Sequence, residues 1–273
     1  MGMLIYDALV LTRIASTARA KKNVLTLGVP TLNFSCSNYR SAAKKIGIDV
    51  KGDNFREYRG FFEMLGYEQI VSLDISNYEG AEILGDLNDP TIASRINAQY
   101  DLVYDSGTIE HIFEITVALR TIRTLVRLGG VVVHASPANG FMDHGFWQIS
   151  PDLFRSFYRS SGFDILTSAL FTLGDAPVAF PADENIYRMR GRGFIAQNMS
   201  EALVIFAASK ATTIENDNLT MQDYYSRMHA AKTTIHHSEF FIPYGSAQRA
   251  QLLRYPFAKR AFSAVRYISN KFR

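Results

Sequence analysis

Apolar and polar positions along this chain come in blocks that fit strands and helices in turn. Val24, Leu25 and Leu27 open a short apolar run that stops at Gly28, which predicts a strand over residues 24–27. A polar stretch comes next, with a short helix expected at 39–46 and a second at 55–65, ended by Gly66. Further strands are expected at 69–76, 81–87 and 101–107. Ile115, Leu119, Ile122 and Val126 recur at helical spacing and predict a helix over 114–127. Gly129 and Gly130 are expected to stop it ahead of an apolar strand over 131–136.

Ser150 and Pro151 suit the N-cap and first position of a helix over 150–163, with Leu153, Phe154, Phe157 and Tyr158 on its buried side. Two more strands are expected at 164–173 and 201–209. The stretch between them, 174–200, reads as a loop too long for a plain connection. Strands alternating with helices predict an α/β domain with a mainly parallel sheet and helices on both faces. Ahead of it, residues 1–22 hold an apolar run broken by Asp7 and Arg13, a short helix rather than an export signal.

Composition narrows the class. A chain of 273 residues with 47% hydrophobic and 20% charged content can bury one large core. Cys36 is its one cysteine, which excludes an internal disulfide and suits a reducing compartment. No run approaches the roughly 18 apolar residues of a membrane-spanning helix. The expectation is a soluble, cytoplasmic protein.

The net charge of +3 is unevenly placed. Residues 240–273 carry seven basic residues and no acidic one, which leaves −4 on the rest. In this tail Phe257, Ala261, Val265 and Ile268 lie about one helical turn apart with cations between them. That pattern predicts a basic amphipathic helix within an extension over 211–273. Peripheral contact with the inner face of an anionic membrane, an acidic partner, and packing on its own domain are all open to it. The body is acidic and shows no recognition motif, so nucleic acid is not an expected partner.

Carboxylates recur at the ends of successive strands: Asp74, Asp86 and Asp105. In an open parallel sheet those ends line the edge where ligands bind. Asp74, after the second strand, is placed to accept hydrogen bonds from a ribose diol, and three such residues in order point to a nucleoside site.

The run "YDLVYDSGTIEHIFEITVALRTIRTLVRLGGVVVHASPAN" resembles the segment from fourth to fifth strand in class I S-adenosylmethionine-dependent methyltransferases. "GFWQISPDLFRSFYRSSGF" is similar to the next segment of many bacterial members, and the final strand pair resembles that family's reversed seventh strand beside the sixth. The resemblance covers about residues 23–210. It implies a seven-stranded, Rossmann-like sheet with the last strand antiparallel, and S-adenosylmethionine across the ends of the first, second and fourth strands. By that resemblance Gly28 brings backbone close to the methionine part of the cofactor, Asp74 holds the ribose, and Asp86 accepts from the adenine amino group. Leu87 packs on the ring. Asp105, Ser106 and Gly107 flank the methionine side, with Glu110 and His111 at the pocket mouth.

One stretch departs from the family. In "NVLTLGVPTLNFS" only Gly28 fills a position of the usual glycine-rich turn, Thr26 stands in place of an acidic residue, and Pro30 lacks an N–H. Either an inserted segment supplies a remodelled wall, or the cofactor no longer binds.

Methyl transfer to a hydroxyl benefits from a general base, and His111 and His144 are the candidates. His134 is the weaker candidate, because it lies within a strand. Phe141, Phe146 and Trp147 are placed to wall an acceptor pocket. Glu110, His111, His134 and His144 could suggest a metal, but no HxH or HExxH spacing occurs, and His236 and His237 are adjacent in a polar stretch, so no metal site is expected.

The implied activity is methyl transfer to a small-molecule or saccharide acceptor, in cell-envelope glycan biosynthesis. The alternative is a non-catalytic methyltransferase-like binding or scaffold protein. A nicotinamide-dependent dehydrogenase fits less well, because GxGxxG is absent and the final strand pair is reversed.

Overall fold

Strands that are apolar at odd and even positions alike must be covered on both faces. The central strands of this protein are. The computed structural model describes residues 2–18, 21–52, 54–174, 177–182, 201–214 and 220. Within it β1 (Asn23–Leu27), β2 (Gln69–Asp74), β3 (Ile83–Leu84), β4 (Tyr100–Ser106), β5 (Val126–Asn139), β6 (Phe163–Thr172), β7 (Ala179–Pro181) and β8 (Ala202–Lys210) form one sheet. Its order is β3-β2-β1-β4-β5-β8-β6-β7.

The pairs from β3 through β5 are parallel, and β8 runs antiparallel to both β5 and β6. This is the expected seven-stranded arrangement, with β8 as the reversed last strand, and β7 added at the edge. β7 corrects the reading of 174–200 as loop throughout: Ala179–Pro181 pairs antiparallel with Ala169–Phe171 of β6 and covers what would be an open edge. Residues 183–200 and the basic tail lie outside the described residues.

Two helical layers sandwich the sheet. α1 (Ile5–Thr17), α2 (Cys36–Lys45) and α3 (Tyr58–Met64) share a core with Val24, Leu102, Tyr104 and Val133. On the other face α5 (Ile115–Leu125) and α6 (Pro151–Ser160) bury Leu25, Val103, Val132 and Phe206. Neighbouring strand residues thus serve opposite cores, as a period of two requires. α4 (Ile92–Ile96) is a single short helix before β4 that no sequence signal singled out. α6 begins as its sequence predicts, with the Ser150 side chain accepting from Asp152 N.

The helix before β5 ends for a different reason than expected. It stops at Leu125, before the glycine pair, and β5 starts at once with Val126. Tyr100 pairs with Val126 and Leu102 with Val131, so four residues of β5 bulge against one of β4. Gly129, at φ +74°, supplies the left-handed residue, and a Cβ on Gly130 would stand 2.8 Å from Tyr100 O. The pair serves the bulge.

α1 is buried nearly all round. Its Asp7 accepts a hydrogen bond from Tyr104 Oη of β4, joining the N-terminal helix to the centre of the sheet. Among the described residues no helix is long and apolar enough to cross a membrane.

Candidate functional site

The carboxyl ends of β1, β2 and β4 open into a cavity of about 360 Å³. Gly28 is part of its wall. With φ +73° it turns the chain sharply after β1, and its N–H donates to Leu73 O at 2.8 Å. The turn is held from both sides, by Thr26 Oγ1 donating to Gly28 O (2.9 Å) and Thr108 Oγ1 donating to Leu27 O (2.7 Å). A Cβ at Gly28 would stand 3.1 Å from Thr108 Oγ1 and 3.9 Å from Asp74 Oδ2, so the glycine leaves open space in front of Asp74.

Val29 and Pro30 continue the cavity wall after Gly28. This loop is braced from outside: Met3 N donates to Thr31 O (2.8 Å), and Asn33 N donates to Met3 O (2.9 Å). The segment leading into α1 therefore acts as a strap on the loop after β1.

Asp74 accepts from Ser76 N at 2.9 Å, and its backbone carbonyl accepts from Gly85 N. That second bond carries the chain round to Asp86, whose Oδ1 accepts from Asn88 N and Nδ2, both at 2.8 Å. Asn88 in turn accepts from Glu114 N at 2.9 Å, tying this wall to the start of α5. Leu87, Ile75 and Ile112 contribute apolar lining between the two carboxylates.

Of the residues expected at a cofactor, Gly28, Asp74, Asp86, Leu87, Ser106 and Gly107 line this cavity. Asp105 does not. It is fully buried behind the wall, with Oδ1 accepting from Thr108 N (3.0 Å) and Oδ2 2.8 Å from His134 Nδ1 and 3.3 Å from Ser136 Oγ. His134 Nε2 lies 2.7 Å from Tyr158 Oη, and its ring stacks on Phe154. Asp105 faces inward because the residues beside β4, on β5 and in the turn at Thr108, supply its donors. Through Thr108 N and Ile109 N it holds that turn against β4.

His111 lines the cavity mouth and His144 does not, yet the two rings pack with centroids 5.2 Å apart. They meet over Glu110, in the single 3-10 turn Ile109–His111 after β4. The loop carrying His144 docks on that turn through Phe146 N and Trp147 N, which both donate to Glu110 O (2.8 and 3.2 Å). A Cβ on Gly145 would stand 2.9 Å from the same carbonyl, so glycine permits the docking. Trp147 Nε1 also donates to Ile112 O at 2.9 Å.

Glu110 has no exposed surface, and neither of its carboxylate oxygens finds a hydrogen-bond partner among the described residues. Burial, with the charge of Asp105 nearby, pushes its carboxyl up to about 8. Burial and the neighbouring His144 lower the pKa of His111. Phe113 and Phe146 meet edge to face at 5.6 Å and stay largely exposed, and Met142, in the loop carrying His144, is exposed too.

No protein-family model matches this chain, and no curated protein matches it. Solved structures similar to it include TehB from Haemophilus influenzae, at 13% identity over 73% of this chain and 61% of that one, with a TM-score of 0.41. A SAM-dependent methyltransferase from Archaeoglobus fulgidus is 13% identical over 74% and 92% of the two chains, at 0.43. The N-methyltransferase NodS from Bradyrhizobium japonicum, in complex with S-adenosyl-L-homocysteine, is 10% identical over 76% and 86%, also at 0.43. This chain spans less than two thirds of the length of TehB.

The sequence places Glu110 with His111 at the pocket mouth but gives no sign of Thr108 or Glu79 in the wall, nor of the burial of Glu110. A carboxylate four residues past an apolar strand is legible in the sequence, but not its burial, since His111 beside it is half-exposed. What joins it to His144 is not legible either, because α5 and β5 intervene between them in the chain.

Proposed function

We propose that this protein binds S-adenosylmethionine across the ends of β1, β2 and β4 and methylates a small-molecule or saccharide acceptor presented at His111 and His144. The observation that carries the reading is the Gly28 turn, left-handed and open in front of Asp74 within one cavity. The cavity's volume falls in the range of small-molecule sites, roughly 300–1,000 Å³. Asp74 is placed to accept from the ribose hydroxyls, and Asp86 from the adenine amino group. Leu87 offers an apolar face to the ring. The backbone at Gly28, Ser106 and Gly107 borders the methionine end.

When bound, the cofactor supplies an electrophilic methyl group on a sulfonium. The protein's own task is alignment and exclusion of water, since the reaction is an in-line displacement. His111, with its lowered pKa, stays neutral near neutral pH and can take a proton from an acceptor hydroxyl. The exposed ring pair Phe113 and Phe146 suits the apolar part of an acceptor. The basic tail supports an acceptor that is lipid-linked or belongs to the cell envelope, and hence work at the inner face of the membrane.

Calorimetric titration with S-adenosylmethionine and S-adenosylhomocysteine, with NADH as control, tests the reading. Micromolar binding of the first two and none of the third is expected. A folded protein that binds none of them would instead be a non-catalytic relative of the fold.

A further inference from the structure

A buried carboxylate with no partner costs several kcal/mol unless something compensates it. Glu110 is such a group: no exposed surface, and no hydrogen bond to either oxygen among the described residues. Two imidazoles converge on it. His111 Nε2 and His144 Nε2 each lie 3.9 Å from Glu110 Oε1. That is too long for a hydrogen bond. One ligand-type atom from each of the three residues lies within 4.8 Å of the others.

These separations fit a shared ion. Donors bound at roughly 2.1 Å to one cation stand about 3.0–3.5 Å apart in tetrahedral or octahedral geometry. The group has to contract by only about 1 Å, and both histidines are partly exposed (44% and 37%) rather than locked in the core. Gly145 and the backbone bonds to Glu110 O already hold the two loops together, so no backbone rearrangement is required. The exposed side of the pair leaves coordination positions open at the cavity mouth. Two imidazoles and one carboxylate favour zinc, iron, cobalt or manganese over magnesium and calcium, which take oxygen donors.

We infer that Glu110, His111 and His144 bind one divalent first-row transition-metal cation at the mouth of the cavity. The inference rests on three side chains and a turn, and does not depend on the cofactor reading. With that ion bound, His111 and His144 would serve as its ligands and not as bases, and the cation would supply the polarisation of an acceptor oxygen in place of the proton transfer assigned to His111 above.

The test is titration of the full-length, tag-free, chelator-treated protein with Co²⁺ and then Zn²⁺, read by cobalt visible absorption and calorimetry. One equivalent of Co²⁺, displaced by Zn²⁺, is expected. Losing a residue that merely orients a ligand costs about 10–100-fold in affinity, so His144→Ala and Glu110→Gln should each lose at least that much. Circular dichroism checks each variant. If Glu110→Gln fails to fold, His144→Ala decides, because its side chain is partly exposed and leaves no buried gap. No binding by the wild type overturns the site, as does binding that survives His144→Ala and is lost when His236 and His237 are replaced. S-adenosylhomocysteine titrated into the same metal-free sample separates the two readings. Nucleoside binding without metal binding sinks the cation site alone, and metal binding without nucleoside binding supports it while removing the cofactor.

Discussion

Met3 and Thr31 are joined backbone to backbone, Met3 N donating to Thr31 O at 2.8 Å. This bond bears on the oddest feature of the chain, a turn after β1 in which Val29 and Pro30 follow a lone glycine. The loop after β1 is held in place by a strap from outside the sheet. A loop braced in this way can carry Val29 and Pro30 and still keep Gly28 open toward Asp74.

The strap predicts an unusual sensitivity at Gly2. A Cβ there would stand 2.5 Å from Thr31 O, so Gly2→Ala must push the loop aside. Affinity for S-adenosylhomocysteine should drop several-fold, while the thermal midpoint moves little. Gly47→Ala is the control, with φ +75° and nothing near its Cβ. It should cost about 1 kcal/mol of stability through backbone strain and leave affinity untouched.

Asp74→Ala should weaken nucleoside binding by about 10–100-fold, the worth of a hydrogen bond to a charged group. His144→Ala should change it far less, since His144 does not line the cavity. Equal losses in the two titrations would count against the assignment of Asp74 to the ribose.

Asp105 should behave as a structural residue. Its removal strands His134 Nδ1, Ser136 Oγ and Thr108 N. Denaturant unfolding of Asp105→Ala should show a loss of about 3 kcal/mol or more. Asp86→Ala, at a partly exposed site, should cost about 1 kcal/mol or less. A stable Asp105→Ala protein with abolished ligand binding would return Asp105 to the cavity.

Asp7 makes stability depend on pH. Burial raises its carboxyl from 3.8 to about 7, the hydrogen bond from Tyr104 opposing the rise. The native protein therefore keeps a proton that the unfolded chain releases near pH ~4. Its contribution is complete below about pH 4 and is lost as the pH rises through about 7. Asp7→Asn should remove that slope and be more stable than wild type at pH ~8, by on the order of 2–4 kcal/mol. Parallel pH–stability curves for the two proteins would refute the role of Asp7.

Much of this architecture can be read from short windows of sequence. The apolar runs of β1, β4, β5 and β8, the Ser150–Pro151 start of α6, and the strand-end carboxylates Asp74 and Asp86 each announce themselves within a few residues. Burial on both faces of a strand, a helix N-cap and a chain turn are local requirements, and local composition records them. Tertiary structure alone decided the rest. It tied Met3 to Thr31, turned Asp105 inward toward His134, moved the Gly129–Gly130 pair from a helix stop to a bulge, and set His144 beside His111 over Glu110. Each of these joins residues whose proximity depends on which strands are neighbours and which loops dock on them. No spacing along the chain carries that information, because the contacts are made through space by segments that fold separately.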